Sequence, residues 1–206
     1  MSKIIVVTGG SSGIGLATAS LLAGKGHQVY ELSRSGEDRP QIRHLTVDLA
    51  EEAQIVAAFA HIGQEAGHID VLINNAGMGI SGPVELTDST EARGLFDIDF
   101  FAAFLCTKYA LPWLRVAGPG ARIVNVSSMA AVFSIPYQAF YSAAKAAVNA
   151  LTLALANELQ GFGISVTALM PGDVKTGFTV ARHKQAQGAE LYAGAEKAVS
   201  IMEHDE

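Results

Sequence analysis

Lys3-Ile-Ile-Val-Val-Thr8-Gly9-Gly-Ser-Ser-Gly13-Ile-Gly15 is the stretch whose reading decides the fold. Its first half is a nearly continuous β-branched run, the pattern of a strand buried on both faces of a parallel sheet. Glycines come at once after it, and residues 16–25 then carry helical periodicity. A strand, a glycine turn and a helix in that order let backbone approach a diphosphate, whose charge meets the helix N-terminus. The spacing Gly-x3-Gly-x-Gly of Gly9, Gly13 and Gly15 departs from the common Gly-x-Gly-x2-Gly fingerprint. The nucleotide reading therefore rests on the flanking strand and helix, against the alternative of a plain Gly/Ser turn.

Working outward, apolar runs at 27–33, 42–47, 69–73, 121–127 and 164–170 read as further strands. Helical patterns at 50–66, 88–114 and from about Tyr141 to Leu159 separate most of them. Such alternation predicts an α/β fold: one open, doubly wound parallel sheet with helices on both faces, in a single domain. Residues 78–87, with Gly79, Gly82 and Pro83, read as a loop. Phe96, Phe100, Phe101 and Phe104 form a stripe expected in the core or at a subunit contact.

The strand ends carry the chemistry. The second ends Leu32-Ser33-Arg34-Ser35, with no carboxylate at its tip to hold ribose hydroxyls. Glu31 should point elsewhere under strand alternation, and Arg34 offers a planar fork for a phosphate. That favours NADP over NAD. Asp48 and Leu49 end the third strand; Asp48 suits a helix cap or an adenine edge. Asn74-Asn75-Ala76-Gly77 ends the fourth, where small and amide residues suit a crevice.

Net charge is −6 over 206 residues, with no basic patch, which argues against nucleic acid. The single cysteine, Cys106, excludes an internal disulfide and reads as a buried small hydrophobe. Six scattered histidines lack ligand spacing, so no metal site is expected. The N-terminus runs straight into a strand, leaving no room for a signal peptide. The apolar stretch 140–156 holds Lys145 and Asn149 and reads as a buried helix rather than a membrane span. A cytoplasmic protein is expected.

Tyr141-Ser-Ala-Ala-Lys145 places a phenol and an ammonium one helical turn apart on one face. A positive charge beside a phenol favours its ionised form, as an acid or base at neutral pH requires. Alone, such a pair is usually a solvated contact. Upstream, Val126-Ser127-Ser128 closes a strand and offers a hydroxyl to the same oxygen.

Together these residues resemble the short-chain dehydrogenase/reductase family. The matches are Thr8-Gly-Gly-Ser-Ser-Gly-Ile-Gly15, Asn74-Asn-Ala-Gly77, Ser128, Tyr141-x3-Lys145 and Pro171-Gly172-x3-Thr176, in family order. Ser128 lies thirteen residues before Tyr141, the family spacing, which favours it over Ser127. The resemblance implies a Rossmann-type sheet and NADP(H) as cofactor, with NAD as a possible substitute. It implies cofactor contacts at Gly9, Ser11, Ser12, Gly13, Ile14, Gly15, Ser33, Arg34, Asp48, Leu49, Asn75, Ala76, Gly77, Pro171, Gly172, Val174 and Thr176. Tyr141 would be the acid/base, Lys145 its charged neighbour and a ribose ligand, and Ser128 a donor to the substrate oxygen. The substrate would be a small carbonyl or alcohol, and the assembly a homodimer or homotetramer through the long helices. Met129, Val132, Phe133, Ile135, Pro136, Tyr137 and Phe178 would shape an apolar pocket.

Two features depart from the family. Asp99 stands where an Asn usually contributes to a proton relay; ionised, it would partly offset the lysine's field at the phenol. The chain also ends earlier than family members do, so residues 179–206 are read as a short substrate lid or a truncated segment, leaving the sixth strand's edge exposed. A nucleotide-binding sensor or scaffold with little turnover, and an epimerase or dehydratase of the same family, stay open as alternatives.

Overall fold

The computed structural model describes residues 2–184 and 191–192. Six parallel strands form the central sheet in the order β3-β2-β1-β4-β6-β7: β1 (Ile4–Thr8), β2 (Gln28–Ser33), β3 (Ile42–Thr46), β4 (Val71–Asn74), β6 (Arg122–Val126) and β7 (Ser165–Leu169). The order reverses between β1 and β4, and such a switch point opens a crevice at the carboxyl ends of the strands. The α/β, Rossmann-type fold read from the sequence is the fold observed.

Alternation along β1 explains its apolar run. Ile5 and Val7 pack with Ala19 and Ala23 of α1 (Gly13–Gly24) on one face. Val6 joins the opposite core with Phe59 of α2 (Glu52–Ala66), Cys106 and Leu114 of α4 (Ala102–Ala117) and Leu155 of α5 (Ala139–Glu158). A strand sandwiched in this way has no polar face to offer solvent. By length and hydropathy α5 could cross a bilayer, but here it packs on β7 and buries Lys145, Val148 and Thr152.

Several expectations need correcting. α1 begins at Gly13, three residues before the periodicity shows, because glycines hide a helix start from a hydrophobic pattern. The helix expected over 88–114 is two helices, α3 (Ser89–Phe96) and α4, joined by a π-helical turn, Asp97–Phe101. The wider turn rotates α4 relative to α3, so the phenylalanine stripe splits: Phe101 and Phe104 are exposed, while Phe96 packs beside Leu95 and Ala144. The loop over 78–87 contains a two-residue strand, β5 (Ile80–Ser81), paired in parallel with β8 (His183–Lys184). A short helix, α6 (Phe178–Ala181), precedes β8. Most of the expected lid, 179–206, lies outside the described residues. Among the described residues β7 is an edge strand.

Candidate active site

A single cleft of about 510 Å³ runs along the carboxyl ends of the strands at the switch point. Gly9, Ser11, Ser12, Gly13 and Ile14 line one end with Ser33, Arg34, Asp48 and Leu49. Asn75, Ala76, Gly77, Pro171, Gly172, Val174 and Thr176 continue the lining, Thr176 beside Gly13, and Ser128, Tyr141 and Lys145 complete it. The structure brings together every site residue read from the sequence except Gly15 and Asp99, which sit just behind the wall.

Gly15 is behind the turn because the chain must pass there without a side chain. A β-carbon on it would overlap the Gly9 carbonyl oxygen and the Asn75 amide. That amide donates to the Thr8 and Gly9 carbonyls at 3.0 and 3.1 Å. The Thr8 hydroxyl accepts from the Asn75 and Ala76 N–H groups, both at 3.0 Å. The β4 end thus clamps the glycine turn. Ser12, at the N-cap of α1, makes no side-chain cap bond, and the first turn holds no acidic residue. Free N–H groups and a glycine cradle there fit a diphosphate.

At the β2 end, Arg34 is exposed and the Ser33 hydroxyl donates to the Ser35 carbonyl at 2.8 Å. Glu31 is buried, with Oε2 2.5 Å from Nδ1 of His44, and its carboxyl lies against Gly10 of the glycine turn and Gly36 rather than turning elsewhere as strand alternation suggested. Ser33-Arg34-Ser35 carries no carboxylate, and Glu31 is not among the residues lining the cleft. Asp48 does not cap α2: its Oδ1 accepts from the Ala50 N–H at 3.0 Å, while Glu51 holds the N-cap position.

The reactive end is built from three elements. Tyr141 and Lys145 share one face of α5, and Lys145 Nζ lies 5.7 Å from the centre of the Tyr141 ring. The Lys145 side chain is buried; its ammonium donates to the Val126 carbonyl at 3.2 Å and lies 3.1 Å from Oδ2 of Asp99. Asp99 arrives on the π-helical turn, and its Oδ1 accepts the Met78 N–H at 2.7 Å. Burial pushes the Asp99 carboxyl up from the ordinary carboxylate range, against the opposing pull of Lys145 and the Met78 N–H. A side chain on Gly77 would crowd this pair, since its β-carbon would lie 3.2 Å from both Nζ and Oδ2.

Ser128 and Ser127 have separate jobs. The Ser127 hydroxyl is buried and donates to the Lys145 carbonyl at 3.1 Å. Ser128 faces the cleft, and its oxygen accepts the Ala130 N–H at 3.1 Å. That leaves the Ser128 proton for another acceptor.

Sequence reasoning missed the frame behind these groups. Asn74 Nδ2 donates to Asn125 Oδ1 at 2.8 Å and Thr107 Oγ1 at 3.1 Å; Asn125 Nδ2 donates to Thr152 Oγ1 at 2.9 Å. All four side chains are buried, so this network ties α4 and α5 to the sheet. An Asn in the middle of an apolar strand was its one visible sign. Of the expected pocket residues only Ile135 and Phe178 line the cleft; Val132 and Phe133 point into solvent. Among the described residues, no group of three or more His, Cys, Asp or Glu residues is placed to hold a metal.

Comparison with known proteins agrees with this geometry. The model of the short chain dehydrogenase family matches residues 3–187. A 3-ketodihydrosphingosine reductase of Bacteroides thetaiotaomicron is 44% identical over 178 residues, covering 86% of this chain and 66% of the relative. The chain spans about two thirds of the length of the first curated relatives it matches. Among solved structures, ElxO with NADP bound superposes with a TM-score of 0.80 at 30% identity, covering 85% of this chain and 75% of that one. A 3-ketoacyl-(acyl-carrier-protein) reductase of Brucella melitensis complexed with NADH gives 0.82 at 27%, covering 96% and 92%. With the family's motifs gathered along one cleft and its model matched from 3 to 187, the chain belongs to the short-chain dehydrogenase family.

Proposed function

We propose that this protein is an NADP(H)-dependent oxidoreductase acting on a carbonyl/alcohol pair, with Tyr141 as its acid/base. The observation that carries the proposal is the single cleft joining the glycine turn and Arg34 to Ser128, Tyr141 and Lys145. Gly9, Gly13 and the free N-terminus of α1 would hold the diphosphate, Arg34 the additional phosphate, and Pro171, Gly172 and Thr176 the nicotinamide end. When bound, the nicotinamide supplies or accepts the hydride at the substrate carbon.

Tyr141 gives its proton to the carbonyl oxygen in reduction and takes it back from the alcohol in oxidation. Lys145 stabilises the negative charge left on the phenol oxygen. Ser128, its own oxygen satisfied by the Ala130 N–H, donates to the developing alkoxide. Asp99 holds Lys145 in place as an ion pair instead of the amide usual in the family.

The NADP assignment rests on Arg34, which lines the cleft at the end of β2, while Glu31 stays out of the lining with its Oε2 on His44. NAD is the competing cofactor. The same reading has residues 1–206 as one nucleotide-binding domain, with 179–206 a substrate lid or a truncated segment, working in the cytoplasm. The assembly would be a homodimer or homotetramer through α4 and α5, which expose Phe104, Val116 and Leu153.

Parallel titrations of NADPH and NADH test the proposal. NADPH should bind more tightly, and Arg34→Ala should erase the difference. A preference for NADH would overturn the cofactor assignment. NADPH-dependent reduction of a carbonyl panel that survives in Tyr141→Phe would overturn the acid/base assignment.

A further inference from the structure

Past the reactive end, the cleft closes against the turn after Gly77 and the segment from Gly177 to Arg182. The β5–β8 pairing and a 2.9 Å hydrogen bond from the His183 N–H to the Gly79 carbonyl fix the backbone beside Arg182. Arg182 lines the cleft yet is only 9% exposed. Its side chain lies along Gly79, where a β-carbon would come within 3.1 Å of Cγ and 3.3 Å of Nε. The same β-carbon would come within 3.3 Å of Cε1 of Phe178, whose ring centre is 5.6 Å from that of Tyr141. Arg182 is therefore a close neighbour of the reactive end.

Two of its three guanidinium nitrogens are not satisfied. Among the described residues, Nε and Nη1 of Arg182 are buried without a hydrogen-bond acceptor. A guanidinium stays charged at every working pH, and burying one without acceptors is strongly unfavourable. The neighbouring charges are already answered: Lys145 faces Asp99 at 3.1 Å, and His183 faces Glu91 at 2.7 Å. Asp173, also in the lining, is exposed and makes no described ion pair. Phe178 links Arg182 to Tyr141, and Met78 and Ile135 add apolar lining to the same cleft.

We infer that Arg182 is the substrate-recognition cation of this cleft, and that the carbonyl compound reduced at Tyr141 carries a carboxylate held by its unsatisfied N–H groups. The identity of the reaction rests on the function proposed above; the anion subsite has its own readout in binding. It adds an anion subsite to the apolar pocket expected from the sequence, so that the substrate is an oxo acid. In the reduction, hydride adds to the ketone carbon, the Tyr141 proton completes the hydroxyl, NADPH is oxidised, and the carboxylate is untouched.

The test uses the full chain loaded with NADP+ and titrated by calorimetry with 2-oxobutanoate, 3-oxobutanoate and 4-oxopentanoate, each against its methyl ester. At least one acid should bind about tenfold or more tightly than its ester, because a site built for a charged acceptor rejects the analogue lacking it. Arg182→Met should abolish that preference, and Arg182→Lys should restore part of it. Both variants should keep the NADP+ affinity of the parent. Equal binding of acid and ester by the parent, or a preference that survives in Arg182→Met, would overturn the subsite. So would a loss of NADP+ affinity in Arg182→Met, which would make Arg182 a cofactor ligand. NADPH consumption separates the two ideas. An acid bound through Arg182 but never reduced keeps the subsite and removes the oxidoreductase reading. Acid and ester reduced alike, with no change in Arg182→Met, does the reverse.

Discussion

Asp99 Oδ2 and Lys145 Nζ stand 3.1 Å apart, both side chains buried, one turn of α5 behind Tyr141. The carboxylate is aimed by the Met78 N–H, and the ammonium by the Val126 carbonyl. Neither partner has water to fall back on, so each buried charge relies on the other for compensation.

Replacing Asp99 by Asn removes the negative partner while keeping an acceptor for the Met78 N–H. The full field of Lys145 then reaches Tyr141. Turnover at the optimum should stay within about tenfold of the parent, while the pH–rate profile for alcohol oxidation moves to lower pH. An unmoved profile would show that Asp99 only fills space.

The same carboxyl makes stability depend on pH. Its folded-state value is raised by burial, so its contribution is fully present below the ordinary aspartate value of ~3.9 and lost as pH rises through the folded value. Melting temperatures of the parent and Asp99→Asn, measured from pH 4 to pH 7, should diverge in favour of the variant as pH rises. A constant difference would contradict the raised value.

Tyr141→Phe deletes one oxygen from a ring flanked by Phe178 and the Lys145 ammonium. Turnover should fall by about 10²- to 10⁴-fold, the span of general acid–base catalysis. NADPH affinity, tracked by nicotinamide fluorescence, should hold. Loss of both together would make the residue a structural prop.

Gly63 of α2 lies against Trp113 of α4, and a β-carbon there would overlap the indole. Helix propensity favours alanine by about 1 kcal/mol, but overpacking a core contact costs about 1–3 kcal/mol. A net loss is expected for Gly63→Ala, read from the denaturant midpoint. A gain would mean that the indole moves aside.

Burial pushes the Cys106 thiol up to about 12. A thiolate reagent should therefore label it only when the molecule opens, at the rate of unfolding in native buffer. Labelling faster than unfolding would show that α4 breathes on its own.

Features with a local cause were legible in the sequence, and features set by distant contacts were not. A strand covered on both sides needs an unbroken apolar run, so β1 announced itself at Ile4–Thr8. Tyr141 and Lys145 were legible because helical spacing alone sets their shared face. The π-helical turn at Asp97–Phe101 was not: one extra residue in a turn leaves no Gly or Pro to mark it in a continuous helical stretch. Arg182 was hidden for another reason. Its burial depends on Gly79, about a hundred positions upstream, and no periodicity reports a contact between two loops.

That distance has a kinetic consequence. The β5–β8 pair joins Ile80 to His183 and Ser81 to Lys184, two residues on each side. Closing so long a loop for so few contacts carries a large entropic cost, so the pair should zip up late in folding and unzip first under native conditions. Solvent deuterium should reach the His183 amide, bonded to Gly79, well before it reaches the amides of β1. The floor of the cleft is then a latch, open for a small fraction of the time on a protein that otherwise stays shut.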